Sequence, residues 1–266
     1  MPRKARLLRE TVEIAVTEIK RFLEPRLMEQ LQLRRVSAPL FLPAGSPQLH
    51  PGRPGARITL EGGAEVEIVG SLDFWLRSQL REYDIAPGFG VYTVMNALRP
   101  SLPWNRTSSP HIAAWSWQQV VDPADDGRRT LARQTKKLYR LLLDTEGMIL
   151  ALFPHLHPTL AREMEQTDDA TLSARFPDCS HERRMYLALR PAQGNEDSCR
   201  AIYVNRTPEC GELAAGEIWA WNRTASAAVM LADLALRKAD AIGPASAGGN
   251  LYRDHLAMLI LHQDRI

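Results

Sequence analysis

Arg99 stands where a strand-like run meets a polar loop, a place that suits a salt bridge at the loop base or a contact to a bound anion. Its guanidinium is planar, always charged, and able to bind phosphate or carboxylate oxygens two at a time. Other chemistry-bearing residues make weaker patterns. Cys179, His181, Cys199 and Cys210 hold no C-x-x-C pair, so a structural zinc site is not expected. Ser71 and Ser116 have no neighbouring histidine to make a nucleophile. His155 and His157 lie in a Pro-flanked turn and read as exposed. Glu209, Glu212 and Glu217 read as solvated surface carboxylates. Phosphate-binding and dinucleotide-binding glycine patterns are absent, and Pro87-Gly88-Phe89-Gly90 is only a turn.

The elements around Arg99 follow from local pattern. Val66 to Val69 is a short apolar run, and Ser71-Leu72-Asp73 suits a capped helix start. That helix ends before the Pro87–Gly90 turn. Two β-rich runs, Gly90 to Arg99 and His111 to Val121, then flank a loop rich in Pro, Ser and Asn, which predicts a long-looped antiparallel hairpin. Alternate residues of a strand share a face, so Ile112, Ala114, Ser116 and Gln118 are expected on one side and Trp115 and Trp117 on the other.

This stretch resembles the asparagine synthetase A family, the aspartate–ammonia ligases built on the class II aminoacyl-tRNA synthetase catalytic fold. The residues that carry the likeness are Ser71-Leu72 with Trp75 and Arg77, Gly88-Phe89-Gly90-Val91-Tyr92-Thr93, Met95, Ala97-Leu98-Arg99-Pro100, Pro110-His111 and Trp115-Ser116-Trp117. A fold does not fix chemistry, so function is weighed residue by residue.

The resemblance implies an AMP-forming reaction in which ATP and a substrate carboxylate give an acyl-adenylate that an amine attacks, with Mg²⁺ on the triphosphate. Arg99 matches the family arginine that contacts the α-phosphate. The second family arginine, at the start of the last helix, falls at His255, with Arg253 two residues earlier. The family's metal-binding glutamate falls near Met230, with Asp233 three residues on as the nearest carboxylate. Positions that grip aspartate in the family fall at Ala114, Ser116 and Leu76, and its acidic loop residue falls at about His50, within Gln48-Leu49-His50. A buried carboxylate and ammonium without polar partners cost several kcal/mol. The expected substrate is therefore a carboxylate other than aspartate. Two classes stay open: an ATP-dependent ligase making an amide, or a re-purposed paralogue that binds a small molecule or partner or runs a reaction without ATP.

The remaining chain reads in order. Leu7 to Leu31 forms a helix with Leu8, Val12, Ala15, Ile19 and Leu23 on one face, which Pro25 should kink or break. Leu31 to Leu42, with a strand containing Pro39, resembles the synthetase motif that forms a dimer interface, implying a homodimer. Asp122 to Gly127 reads as a polar turn and Thr130 to Phe153 as a helix. Leu160 to Gln166 and Ala170 to Ala174 read as helical, Glu182 to Leu187 as a helix that runs out into a strand, and Ala201 to Val204 and Gly216 to Arg223 as strands. Ala225 to Ala241 is helical or extended. Gly248-Gly249 reads as a turn into an apolar final helix.

The expected architecture is α+β over residues 1–266 as one domain: a mostly antiparallel sheet flanked by helices, like a class II synthetase core. At 45% hydrophobic and 24% charged, the chain of 266 residues has ordinary globular composition. A net charge of +2 gives no support for a nucleic-acid surface, and no run reaches the roughly 18 apolar residues of a membrane span. Three widely spaced cysteines and the lack of a secretory pattern imply a cytoplasmic protein with reduced thiols.

Overall fold

The computed structural model describes residues 9–122, 127–195 and 198–263. In chain order its elements are α1 (Arg9–Leu31), β1 (Leu33–Arg35), β2 (Phe41–Pro43), β3 (Ala56–Thr59), β4 (Glu65–Ile68), α2 (Asp73–Glu82), β5 (Gly90–Leu98), β6 (His111–Val120) and α3 (Gly127–Leu152). They continue with β7 (Glu165–Asp168), α4 (Asp169–Arg175), α5 (His181–Leu189), β8 (Ala201–Arg206), β9 (Glu212–Asn222), β10 (Ala227–Arg237), β11 (Ser246–Tyr252) and α6 (Arg253–Ile260).

Among these residues, eight strands form one sheet in the order β1-β5-β6-β11-β10-β9-β8-β7, and β2-β4-β3 form a smaller one. The terminal pairs β1–β5 and β7–β8 are parallel and the inner pairs antiparallel. The mostly antiparallel α+β architecture is as expected.

Strand alternation divides the large sheet into two chemically distinct faces. On the back, Tyr92, Trp115, Trp117, Ile218, Leu231, Leu234 and Leu251 pack with α1, α3 and α6 in the largest apolar cluster. On the front, Val91, Met95, Ile112, Ala114 and Tyr252 pack with Leu72 and Leu76 of α2, while Trp219 and Trp221 pack with Leu172, Met185 and Leu189 of α4 and α5. Between those two front clusters the sheet carries polar side chains. The expected split of β6 holds: Ala114 and Ser116 face front, Trp115 and Trp117 face back.

Several local expectations change. α1 runs unbroken through Pro25, with Ala15, Ile19, Leu23, Leu27 and Leu31 buried along one side, because that apolar stripe packs on α3. Leu7 and Leu8, and most of the Asp122–Gly127 turn, lie outside the described residues. Pro39 sits between β1 and β2, not within a strand. Residues 165–168 form a strand instead of a helix, because β8 offers them a parallel partner. Leu187 to Leu189 stay helical, their apolar side chains closing over the front face. Gly248 and Gly249 lie inside β11, not in a turn. A Cβ at either would stand 2.1 Å from the Trp117 carbonyl and 1.9 Å from the Asp233 carbonyl respectively, so the glycines admit close strand approach.

The loop between β2 and β3 is pinned in a similar way. A Cβ on Gly70 would meet the Arg53 carbonyl at 2.2 Å, and the Gly70 carbonyl itself accepts from Arg99 Nε at 2.6 Å. Gly70→Ala should therefore push the loop off its seat and lower stability by about 2–3 kcal/mol. Urea denaturation checks this, and an unchanged midpoint contradicts the packing.

Candidate functional site

The polar strip on the front face is assembled from six segments. Arg53 and His50 come from the loop after β2, and Asp73 from the first turn of α2. Arg99 follows β5, Ser116 lies on β6, Asp233 and Arg237 on β10, and Asn250 and Tyr252 on β11. A shift of register between Met230 and Ala232 returns Asp233 to the front after two successive back-facing positions.

At the centre, Arg53 bridges two buried carboxylates. Its Nη2 donates to Asp233 Oδ2, and its Nη1 lies 3.5 Å from Asp73 Oδ2. Asn250 joins the same two acids, donating from Nδ2 to Asp233 Oδ1 at 2.9 Å and to Asp73 Oδ1 at 3.3 Å. Its carbonyl accepts from the Ser116 hydroxyl at 2.5 Å. Burial would raise the Asp233 carboxyl, but Arg53, Asn250 and Arg99 outweigh it and hold it below the usual range. Asp233 is therefore ionised and held in an ion pair with Arg53.

His50 extends the strip. Its Nδ1 accepts from the Gly52 N–H at 3.1 Å, and Nε2 lies 4.0 Å from Asp73 Oδ2 and 3.4 Å from Arg237 Nη2. Burial lowers its pKa to about 4 despite Asp73, so the ring is neutral at pH 7. Arg237 donates to Glu212 Oε1 at 3.0 Å and to the Cys210 carbonyl at 2.7 Å, and lies 4.9 Å over the Phe74 ring. Glu212 then meets Arg206 at 2.6 Å, Arg206 lies 3.5 Å from Glu217, and Glu217 meets His181 Nε2 at 2.7 Å. The expected surface position holds for Glu209, whose side chain is 72% exposed, but not for Glu212 and Glu217, at 4% and 10%. Their arginine partners make that burial tolerable.

Arg99 flanks this strip. Its Nε is used on the Gly70 carbonyl, while Nη2 is buried without a hydrogen-bond partner. Its charge reaches His50, Asp233 and Tyr252, which places it at the same site. Ser116, His50 and Asp233 thus converge with Arg99. Gln48 lies alongside, donating to Ser78 of α2 at 2.8 Å. Leu76 and Ala114 are fully buried in the apolar cluster beneath. His255 bonds the Met230 carbonyl at 2.7 Å and lies 5.6 Å from the Tyr252 ring, and burial lowers its pKa. Arg253 does not join: its guanidinium carbon is 6.0 Å from the centre of the Trp115 ring, whose side chain packs on the back face.

Arg53, Asp73, Asn250, Arg237 and Glu212 escape a reading of the sequence alone, because their partners are far away in the chain. Arg237 carried one usable signal, since spacing of four along a strand puts it on the face of Asp233. Both oxygens of Asp233 are engaged, and no group of three His, Cys, Asp or Glu able to hold a metal occurs among the described residues. Among the described residues, Cys179, Cys199 and Cys210 form no disulfide.

Comparison with known proteins gives the family and the fold. A family model described as aspartate-ammonia ligase matches residues 10–194. The chain belongs to the aspartate–ammonia ligase family. An aspartate–ammonia ligase of Clostridium perfringens is 33% identical over 182 residues, covering 66% of this chain and 54% of the relative. One from Bacteroides fragilis is 31% identical over 171 residues, covering 62% of this chain and 50% of the relative. The chain thus spans about half the length of the curated relatives it matches. In fold it is similar to Pyrococcus horikoshii asparaginyl-tRNA synthetase complexed with asparaginyl-adenylate, with TM-score 0.72 at 9% identity over 96% of this chain and 67% of that one. The Entamoeba histolytica asparaginyl-tRNA synthetase gives TM-score 0.70 at 10% identity over 96% and 65%. The class II synthetase-like fold is thereby established. No helix among the described residues is long and apolar enough to cross a membrane.

Two predictions follow from the electrostatics. Arg53→Ala leaves Asp73 and Asp233 as an uncompensated buried pair and should cost about 3 kcal/mol at pH 7, of which a further Asp73→Asn change restores part; chemical denaturation of both variants checks it. His181 is raised above its ordinary value by its hydrogen bond to Glu217. A raised folded value means its stabilisation is complete below the unfolded value of 6.5 and fades as pH climbs through the folded one. The melting temperature of the native protein should therefore drop between neutral and alkaline pH more than that of His181→Asn.

Proposed function

We propose that this chain is an ATP-dependent, AMP-forming ligase that activates a carboxylic acid for amide formation with an amine, and that the acid is not aspartate. The observation that carries this reading is the buried, unpartnered Nη2 of Arg99 on the same front face as His50, Asp233 and Ser116. A guanidinium with a free N–H at the base of a polar loop suits a phosphate oxygen, where fixed charge contributes most to catalysis. ATP supplies the leaving group that makes a carboxylate reactive.

The relatives carry the name aspartate–ammonia ligase, so aspartate with ammonia is the reference pair. Three features favour another acid. Leu76 and Ala114 give the pocket an apolar floor. Ser116 is spent on Asn250. Asp73 and Asp233 are spent on Arg53 and Asn250, leaving them little capacity for an incoming ammonium. Gln48 and His50 are the residues we assign to the acid, with Leu76 and Ala114 as the floor beneath and Ser116 holding Asn250 in place; Arg99 and His255 we assign to the nucleotide. Mg²⁺ would accompany the triphosphate, and Asp233 would hold it only by giving up Arg53.

A second reading has its own observation. Arg253 packs toward Trp115 on the opposite face, so the nucleotide would lack a second arginine from the last helix. That favours a paralogue of the same fold that binds a ligand without turning it over. In either reading the chain is proposed to be a single domain that pairs with a second copy through the Leu31–Leu42 region, beside which lies an open groove of about 650 Å³ lined by Leu33, Tyr83 and Phe89.

Calorimetric titration with ATP and Mg²⁺ separates the readings. Micromolar binding that Arg99→Ala weakens at least about tenfold, with Arg253→Ala within about twofold of the native protein, supports the ligase. Absence of binding to the native protein removes it.

A further inference from the structure

Tyr252 is the one chemistry-bearing group of the site left without work. The residue is only 3% exposed, and its hydroxyl has no hydrogen bond of good geometry among the described residues, although the Arg99 guanidinium lies close by. A buried hydroxyl without a partner costs roughly 1–3 kcal/mol, so such a group calls for an explanation. The hydroxyl feels Asp233, Arg99 and Arg53 together, which puts it between the arginine at the hairpin base and the ion-paired acids. Burial first, and Asp233 next, push the phenol up to about 12. At neutral pH it is uncharged and offers a proton. Arg99 Nη2, also buried and unpartnered, is the second donor there. The hydroxyl lies beside the Arg99 guanidinium, yet neither it nor Nη2 is satisfied by a well-formed bond; with the nearby acids already held by Arg53 and Asn250, the two describe a cradle that awaits an oxygen from outside the chain.

We propose that the Tyr252 hydroxyl and Arg99 Nη2 together bind an anionic oxygen of the ligand, a carboxylate or a phosphate oxygen, and that Tyr252 is a ligand-binding residue of this site. The proposal rests on the reading of Arg99 as an anion contact and adds to it a neutral donor from β11. It also explains the orphan: the hydroxyl's partner arrives with the ligand.

The test is Tyr252→Phe, which removes only the oxygen. In the ligand-free protein its melting temperature should stay level or rise, by up to about 4 °C, because an unsatisfied buried group is lost. Calorimetric titrations of native and variant protein with AMP and, separately, with propionate identify the oxygen's source. A loss of about tenfold or more in affinity for AMP alone assigns a phosphate oxygen; the same loss for propionate alone assigns a carboxylate. A loss for both supports a shared cradle. A lowered melting temperature overturns the proposal, because the hydroxyl then has a partner inside the fold. It is equally overturned if the variant binds both probes as the native protein does, or if the native protein binds neither. The Arg99→Ala titration with ATP stands apart, so loss of nucleotide binding there with no effect of Tyr252→Phe would leave the ligase reading intact and remove only this one.

Discussion

The arrangement of the front face depends on one ion pair and its echo: Arg53 between Asp233 and Asp73. Two buried carboxylates that share one amide nitrogen would repel strongly without a cation, and the penalty of burying them unpaired is several kcal/mol. Arg53 removes that penalty, and in doing so it ties three distant pieces of chain together. The loop after β2, the first turn of α2 and the middle of β10 all meet at it. Asn250 closes the network and fixes Ser116, so β6 and β11 are held to it as well. His50 borders this ion-paired centre on one side and Arg99 on the other.

Charge continues outward from that centre in a consistent way. Arg237, Glu212, Arg206 and Glu217 alternate in sign along the front face, and His181 meets the last of them. Each buried member has an opposite neighbour, which is how so many ionised groups can lie under α4 and α5 without unfolding the sheet. Against that background the unpartnered atoms stand out. Among the described residues of the site, Arg99 Nη2, the Tyr252 hydroxyl and Arg237 Nε are buried donors without a partner, and the first two lie together near Asp233. A face that satisfies its acids internally and leaves donors open is built to receive an anion. That is the physical content of assigning acid activation to it.

Much of the fold was legible from local pattern. The alternation of Trp115, Ser116 and Trp117 and the polar loop between two β-rich runs led to the hairpin and to its correct two faces. Arg99 could be picked out because it lies at a strand–loop junction inside a dense family likeness. The misses have one cause, which is that tertiary partners overrode local preference. Residues 165–168 became a strand because β8 lay beside them. Gly248 and Gly249 were mistaken for a turn, although their role is to let β11 approach its neighbours. Pro25 was tolerated because the apolar stripe of α1 packs on α3. Within the site, Asp73 read as part of a helix start and Arg53 as a loop charge. The meaning of Arg53 lies in a contact across 180 residues to Asp233, and that of Asp73 in a contact across 177 residues from Asn250, which no local pattern announces.

The measurement that meets the central claim most directly is isotope exchange between pyrophosphate and ATP, run across a panel of carboxylic acids that includes aspartate. Exchange that depends on an added acid other than aspartate, and that is lost in Arg99→Ala, is the predicted result. Exchange with aspartate alone would contradict the reading of the pocket. No exchange with any acid, in protein that remains folded, would contradict the assignment of acid activation to this face.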